Sequence, residues 1–362
     1  MSEQTHNNDS DVLVRVEGLK KYFPIQQDFL TRLFTGEEQK YVRAVDGVDF
    51  TIKRGEVFGL AGESGSGKTT VGRLVLNLVE PSEGKVLFDG IDLSTLSTDQ
   101  MRQMRKRMQL IFQDPTASLN PRMSVGDGIA HGYRIHIDSD KQRARKAVEE
   151  MMEHVGLTPA STIYDKFPHQ ISGGQRQRAV IARALITQPE LIVADEPIAM
   201  ADVSVRAQLL ELMKRLQREF NLTYLFITHD LATAKYICDR IGVMYLGKMA
   251  EIGSLRDVYA NPAHPYTEAL LSAVPVPDPE RRRTMPLPEG EIPNPINPPT
   301  GCRFHPRCPI AVLDICANIE PVLLPVNGNP NHLAACHLRT GEYQHLDPTR
   351  EHGKHAESPV AD

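Results

Sequence analysis

No cysteine occurs before residue 238 of this 362-residue chain, and four of the five present lie between Cys302 and Cys336. A disulfide framework running through the whole molecule is therefore excluded. Long apolar runs are missing as well. None approaches the roughly 18 residues of a membrane span. There is no excess of positive charge: 41 Lys and Arg face 46 Asp and Glu, giving a formal net charge of −5 and a pI of about 6.2. Dedicated nucleic-acid binders carry strongly basic surfaces, so that class is disfavoured. The opening residues, MSEQTHNNDSD, contain no apolar signal segment, which predicts a cytosolic chain able to dock on a membrane protein. Stable disulfides are then not expected. No internal repeat is visible.

What is present is enough for a packed core. Hydrophobic residues make up 41% and charged residues 24%, in a length that fits one large or two ordinary domains. Residues 1–10 read as a disordered tail. From Asp11 to about 258, apolar runs of strand length alternate with helical patterns. EVFGLAG (56–62) reads as a buried strand entering a glycine turn. KTTVGRLVLNLVE (68–80) reads as a helix ended by Pro81. ELIVAD (190–195) and TYLFITHD (223–230) read as two more buried strands. Between these two lies VSVRAQLLELMKRLQREF (203–220), with Val205, Leu209, Leu212, Leu216 and Phe220 on one helix face. This order predicts right-handed crossovers and a mostly parallel sheet, an α/β fold. Residues 95–189 are polar and helix-rich with no clear strand, which predicts a helical insertion. From 259 to 340 the chain is proline-rich and reads as a second, small, loop-rich module. Residues 341–362 read as a solvated tail, and Arg281–Arg283 as a solvated linker run.

GESGSGKT (62–69) matches G-x-x-x-x-G-K-[ST]. Its glycines let the backbone wrap phosphate with successive N–H groups, and the following helix adds a positive N-terminal dipole. The expected phosphate cradle is Gly62, Glu63, Ser64, Gly65, Ser66, Gly67, Lys68, Thr69 and Thr70. Lys68 is expected to reach the β- and γ-phosphates and the Thr69 hydroxyl to hold Mg²⁺. LIVADE (191–196) places Asp195 and Glu196 at the C-terminal end of a strand, where ligands bind in open α/β sheets. Asp195 is read as a Mg²⁺ ligand through water and Glu196 as the general base on the attacking water. ISGGQRQR (171–178) supplies a second helix N-terminus, at Ser172, Gly173, Gly174 and Gln175, suited to an anion. One nucleotide does not need two such sites, so the second is expected to face the γ-phosphate bound by another subunit.

GESGSGKT, QDP (113–115), ISGGQ, LIVADEP and THD (228–230) stand here in an order that resembles the ATP-binding subunit of an ATP-binding cassette (ABC) transporter, over about residues 12–258. The resemblance implies a mostly parallel core sheet, an antiparallel β subdomain and a helical subdomain at about 95–189. It implies that Gln113 links the Mg²⁺ and water site to the helical subdomain, and that His229 contacts the γ-phosphate. It places Tyr22 in LKKYFP at the adenine-stacking position, with Phe23 to Tyr41 as an insertion, and Asp202 at the partner subunit. One departure is AMAD (199–202) where the family usually has S-A-L-D. Ala199 lacks a hydroxyl, and Met200 adds bulk at the expected dimer interface. Soluble cassette ATPases of chromosome organisation and translation show long coiled coils or paired cassettes, neither of which is found here.

NPAHPYTEALLSAVP (261–275), QDPTASLNPRMSV (113–125), DVSVRAQLLELM (202–213) and GCRFHPRC (301–308) are similar to the oligopeptide/dipeptide importer branch. Relatives in that branch carry nickel chelates or sugar-derived solutes. The branch implies a second ATPase subunit, read as a paralogue, two transmembrane permease subunits, an extracytoplasmic solute-binding protein, and a place on the cytoplasmic face of the membrane. HPYTEALL itself reads as a surface helix started by proline, and Cys238 as a buried small residue. Cys302, Cys308, Cys316 and Cys336 follow C-x5-C-x7-C-x19-C, which is not a standard zinc spacing. Four thiolates suit an iron–sulfur cluster, and the branch includes members holding a 4Fe-4S cluster at matching cysteines. Zinc, disulfides and free thiols stay open. A loop-rich module of this size needs a staple, so a structural metal is the expected role.

Overall fold

The computed structural model describes residues 11–25, 39–273 and 290–349. The expected N-terminal tail, most of the Phe23–Tyr41 insertion, the Arg281–Arg283 run and residues 350–362 lie outside the described residues.

The strands in chain order are β1 (Val12–Pro24), β2 (Tyr41–Lys53), β3 (Val57–Ala61), β4 (Glu83–Phe88), β5 (Ile91–Asp92), β6 (Met108–Ile111), β7 (Leu191–Asp195), β8 (Thr223–Thr228), β9 (Arg240–Tyr245), β10 (Lys248–Ser254), β11 (Leu324–Val326) and β12 (Asn329–Ala334). They form two sheets. One is antiparallel, in the order β2-β1-β4-β5. The other runs β11-β12-β10-β9-β3-β8-β7-β6. Its centre is parallel: β3 pairs with β8 and β9, and β7 pairs with β8 and β6.

The central strands are apolar throughout because both faces are covered. Successive side chains alternate between faces. Phe58, Leu60, Leu191, Val193, Leu225 and Ile227 pack toward the antiparallel sheet and the helix Lys68–Val75. Val57, Ala61, Ile192, Ala194, Tyr224 and Phe226 pack toward the helical side. Each fully buried aliphatic side chain contributes about 1.5–3 kcal/mol of transfer free energy. The helix Val203–Phe220 follows its sequence pattern, with Leu209, Leu212 and Leu216 buried.

Four details differ from expectation. The helix after the glycine loop stops at Val75, well before Pro81, because Asn77 turns the chain in the left-handed region at φ 48°. Residues 95–189 contain a strand after all: β6 has only four residues, too few for a visible period, yet it pairs with β7. The cysteine-bearing segment is not separate from the core sheet. β12 pairs with β10 at Glu251↔Ala334 and Ile252↔Leu333, so the module extends that sheet. Finally, order continues past 341. Asp347 is 2% exposed and ion-paired with Arg339 at 3.1 Å, which ties residues up to 349 to the body.

Among the described residues, no helix is long and apolar enough to cross a membrane.

Candidate functional site

The glycine loop joins β3 to the helix Lys68–Val75. Gly62, Gly65 and Gly67 have φ of 147°, 80° and 103°, values that side chains disfavour. A Cβ on Gly67 would lie 2.1 Å from the Ala44 carbonyl oxygen, and one on Gly62 would lie 2.2 Å from that of Met244. The loop is thus pressed against β2 and β9, and its backbone path is fixed. Lys68 is buried. Its Nζ donates to the carbonyls of Gly62 at 2.7 Å and Glu63 at 2.8 Å. Burial pushes its pKa down, against the opposing charges of Glu196, Asp195 and Glu63. Ser66 Oγ lies 3.3 Å from the same ammonium. Ser64 and Gly65 form the exposed tip, and Thr70 is half-buried.

Three neighbouring parallel strands deliver the other groups at their C-terminal ends: Gln113 after β6, Asp195 and Glu196 at β7, and His229 after β8. Thr69 Oγ1 donates to Asp195 Oδ1 at 3.1 Å. Burial raises the Asp195 pKa, opposed by that hydrogen bond. Hydroxyl and carboxylate together form a hard-oxygen pair of the kind that suits Mg²⁺. Gln113 Nε2 donates to Glu196 Oε2 at 2.9 Å, and His229 Nδ1 lies 2.9 Å from Glu196 Oε1. Glu196 itself is a non-glycine residue at φ 46°, held by its N–H on the Ile227 carbonyl at 3.0 Å. Such a backbone is costly and persists where the surroundings enforce it. Each carboxylate oxygen keeps a second lone pair, so Glu196 can still accept from a water.

Ser172 caps the helix Gly173–Leu185. Its side chain accepts from the Gln175 N–H at 3.2 Å, and the Gln175 side chain accepts from the Ser172 N–H at 3.0 Å. Ser172 and Gly173 are exposed. Among the described residues, no hydrogen bond or ion pair joins this turn to Gly62–Thr69. The sequence-predicted groups therefore fall into two sets, one gathered around Glu196 and one standing apart. Buried Gln177 donates to the Pro197 carbonyl, linking that helix to the residue after Glu196. Asp202 is exposed at the start of Val203–Phe220, and Met200 is 67% exposed. Met200 therefore projects outward and is not packed inside this chain.

Tyr22 lies on β1 opposite Arg43, next to the Ala44 carbonyl that abuts the loop. Its hydroxyl donates to Asp46, and burial with that contact raises its pKa to about 12.

Sequence reading missed several residues here. Arg303 is buried and donates to Asp46 and to the Leu246 carbonyl. Arg307 forks onto Glu63 at 2.7 and 3.1 Å. Tyr266 Oη accepts from the Glu63 N–H at 2.7 Å, so that amide is already engaged and is no free phosphate donor. Tyr266 is fully buried, which corrects the surface reading of HPYTEALL, although Pro265 does open a helix there. The available signal was the pair of arginines inside C-R-F-H-P-R-C.

All five cysteines are free thiols, so the disulfide alternative is not realised. Cys238 is buried, as expected. Cys302, Cys308, Cys316 and Cys336 share one small apolar cluster with Ile310 and Leu338. Burial raises the thiol pKa of Cys302 to about 11 and those of Cys308 and Cys336 to about 12. Among the described residues, no three His, Cys, Asp or Glu side chains are arranged to hold a metal ion. The four thiols are thus gathered in one place.

Residues 45–199 match the family model for ABC transporters, and residues 250–316 match the oligopeptide/dipeptide transporter C-terminal region. The chain is 47% identical over 334 residues to the oligopeptide transport ATP-binding protein AppF of Bacillus subtilis, covering 91% of this chain and 98% of AppF. It is 47% identical over 328 residues to the oligopeptide transport ATP-binding protein OppF of Salmonella typhimurium, covering 90% and 96%. Among solved structures, the ATP-binding cassette MJ0796, a dimer bound to ADP and Pi, is similar at a TM-score of 0.58 and 28% identity, covering 67% of this chain and 99% of that one. With the glycine loop Gly62–Thr69, the Asp195–Glu196 pair and the sheet order in place, the chain belongs to the ABC transporter family of ATP-binding proteins, in the branch that carries the oligopeptide/dipeptide transporter C-terminal region.

Proposed function

We propose that this chain is the ATP-hydrolysing subunit that powers import of di- and oligopeptides across the cytoplasmic membrane. The observation that carries the chemistry is the Gln113–Glu196–His229 arrangement beside Asp195, Thr69 and Lys68. Peptide as cargo is supported by the matched C-terminal region and by the relatives named for oligopeptide transport.

Glu196 accepts the proton of the attacking water. Gln113 and His229 fix both of its oxygens, which removes the cost of orienting it during reaction. Lys68 leaves the loop carbonyls to meet phosphate oxygens. Mg²⁺, held by Thr69 and Asp195, would neutralise charge on the phosphates. The exposed Ser172–Gln175 turn faces the nucleotide of a second ATPase subunit, read as a paralogue, and Asp202 meets that subunit. The dimeric form of MJ0796 supports the pairing. Two permease subunits and an extracytoplasmic binding protein complete the assembly. Tyr22 stacks on adenine.

The test is Glu196→Gln. The amide keeps the shape and loses the base, so ATP binding persists while turnover falls by about 10²–10⁴-fold. Full turnover in the variant would refute the assignment.

A second proposal concerns the thiols. Four unpaired cysteines within residues 302–336, Cys316 and Cys336 buried and Cys302 and Cys308 partly buried against them, support a metal-stapled module, with a 4Fe-4S cluster preferred over zinc. Such a centre would hold Cys302, Cys308, Cys316 and Cys336 as thiolates and tie their segments together. Protein purified without oxygen then contains iron and sulfide. Stoichiometric zinc or no metal would refute the cluster.

A further inference from the structure

Glu63 places a carboxylate inside the Gly62–Thr69 loop, next to where phosphate is expected. Its carboxylate sits between Gly62 and Ser64, and its charge acts on Lys68, the lysine meant for phosphate. A bare carboxylate there would repel a polyphosphate. The structure shows what offsets it. Arg307 meets Glu63 through two parallel contacts, Nη1 to Oε2 at 2.7 Å and Nη2 to Oε1 at 3.1 Å. This fork is the strong geometry for a guanidinium and a carboxylate. The Arg307 side chain is only 8% exposed and that of Glu63 26%, so solvent screens the pair weakly.

The arginine is well supported. Its Nη1 also donates to the Tyr245 hydroxyl at 3.3 Å. Phe304, 1% exposed, packs against Tyr245 and Tyr266, with ring centroids 5.2 and 5.3 Å apart. Arg303 anchors the same segment on Asp46 and the Leu246 carbonyl. Residues 302–308 therefore form a brace between the cysteine cluster and the nucleotide loop, 244 residues away in sequence.

We propose that Arg307 is a positioning residue for ATP, reaching in from the cysteine segment to neutralise Glu63 and hold the phosphate loop. This rests on Gly62–Thr69 being the triphosphate site. It does not depend on what the cysteines bind.

The experiment titrates the full-length protein with mant-ATP and Mg²⁺ and records thermal melting beside it. Wild type must bind; if it does not, the nucleotide reading itself fails. Arg307→Met should weaken binding about tenfold, the size of one unshielded charge near phosphate. Adding Glu63→Gln to Arg307→Met should restore affinity to within about threefold of wild type. A purely structural brace would not be rescued by removing its second half. Wild-type affinity in Arg307→Met, or an unrescued double variant, overturns the proposal. If Arg307→Met does not fold, Glu63→Gln alone decides. Leaving Arg307⁺ beside a neutral partner should tighten mant-ATP binding by about threefold. Equal or weaker binding overturns the proposal.

Discussion

At the scale of single residues, the site depends on backbone that most side chains cannot adopt. Gly67 combines φ 103° with the Ala44 carbonyl 2.1 Å from where a Cβ would stand. Gly67→Ala therefore meets both strain and collision. It should cost more than about 1 kcal/mol of stability and weaken mant-ATP binding by at least about tenfold. A denaturant melt and a binding titration check the two halves. Glu196 at φ 46° is the other special position, and no sequence pattern announces that angle. The identities of Lys68, Asp195, Glu196, Gln113 and His229 were legible because each stands in a fixed local string. The contacts of Glu63 were not. Arg307 and Tyr266 lie more than 200 residues downstream, and nothing in either local string points to the other.

At the scale of elements, length decided what could be read. β7 and β8 announce themselves as buried runs because both faces are apolar. β6 has four residues, and β11 and β12 carry Pro325 and Pro330. Proline is tolerated at a sheet edge and disguises a strand as loop. The helix Gly173–Leu185 was readable from its start, and the structure adds a reciprocal capping box between Ser172 and Gln175. Ser172→Ala removes one half of that box. It should cost about 1 kcal/mol of stability, seen in a denaturant melt. If the turn also faces a second subunit's nucleotide, ATP turnover falls by more than that stability loss explains. An alanine variant that melts like wild type would contradict the cap.

At the scale of the molecule, the C-terminal segment is part of the ATPase body. β12 lengthens the core sheet, and Glu251 of β10, fully buried, accepts from the Ala263 and His264 amides at 2.9 and 2.8 Å and meets His332 Nε2 at 2.7 Å. Proline content marked a small, loop-rich module without showing that it joins the core sheet, because composition reports loop character and not where a loop docks. What the site does for the cell rests on coupling between this body and its partners. The decisive measurement is ATP hydrolysis by this chain assembled with the proposed second ATPase, permeases and binding protein in proteoliposomes, with candidate solutes added. The account predicts that di- or oligopeptide with binding protein raises turnover and enters the vesicles, and that Glu196→Gln abolishes both. Turnover indifferent to peptide but raised by a nickel chelate, a sugar-derived solute or DNA would contradict it.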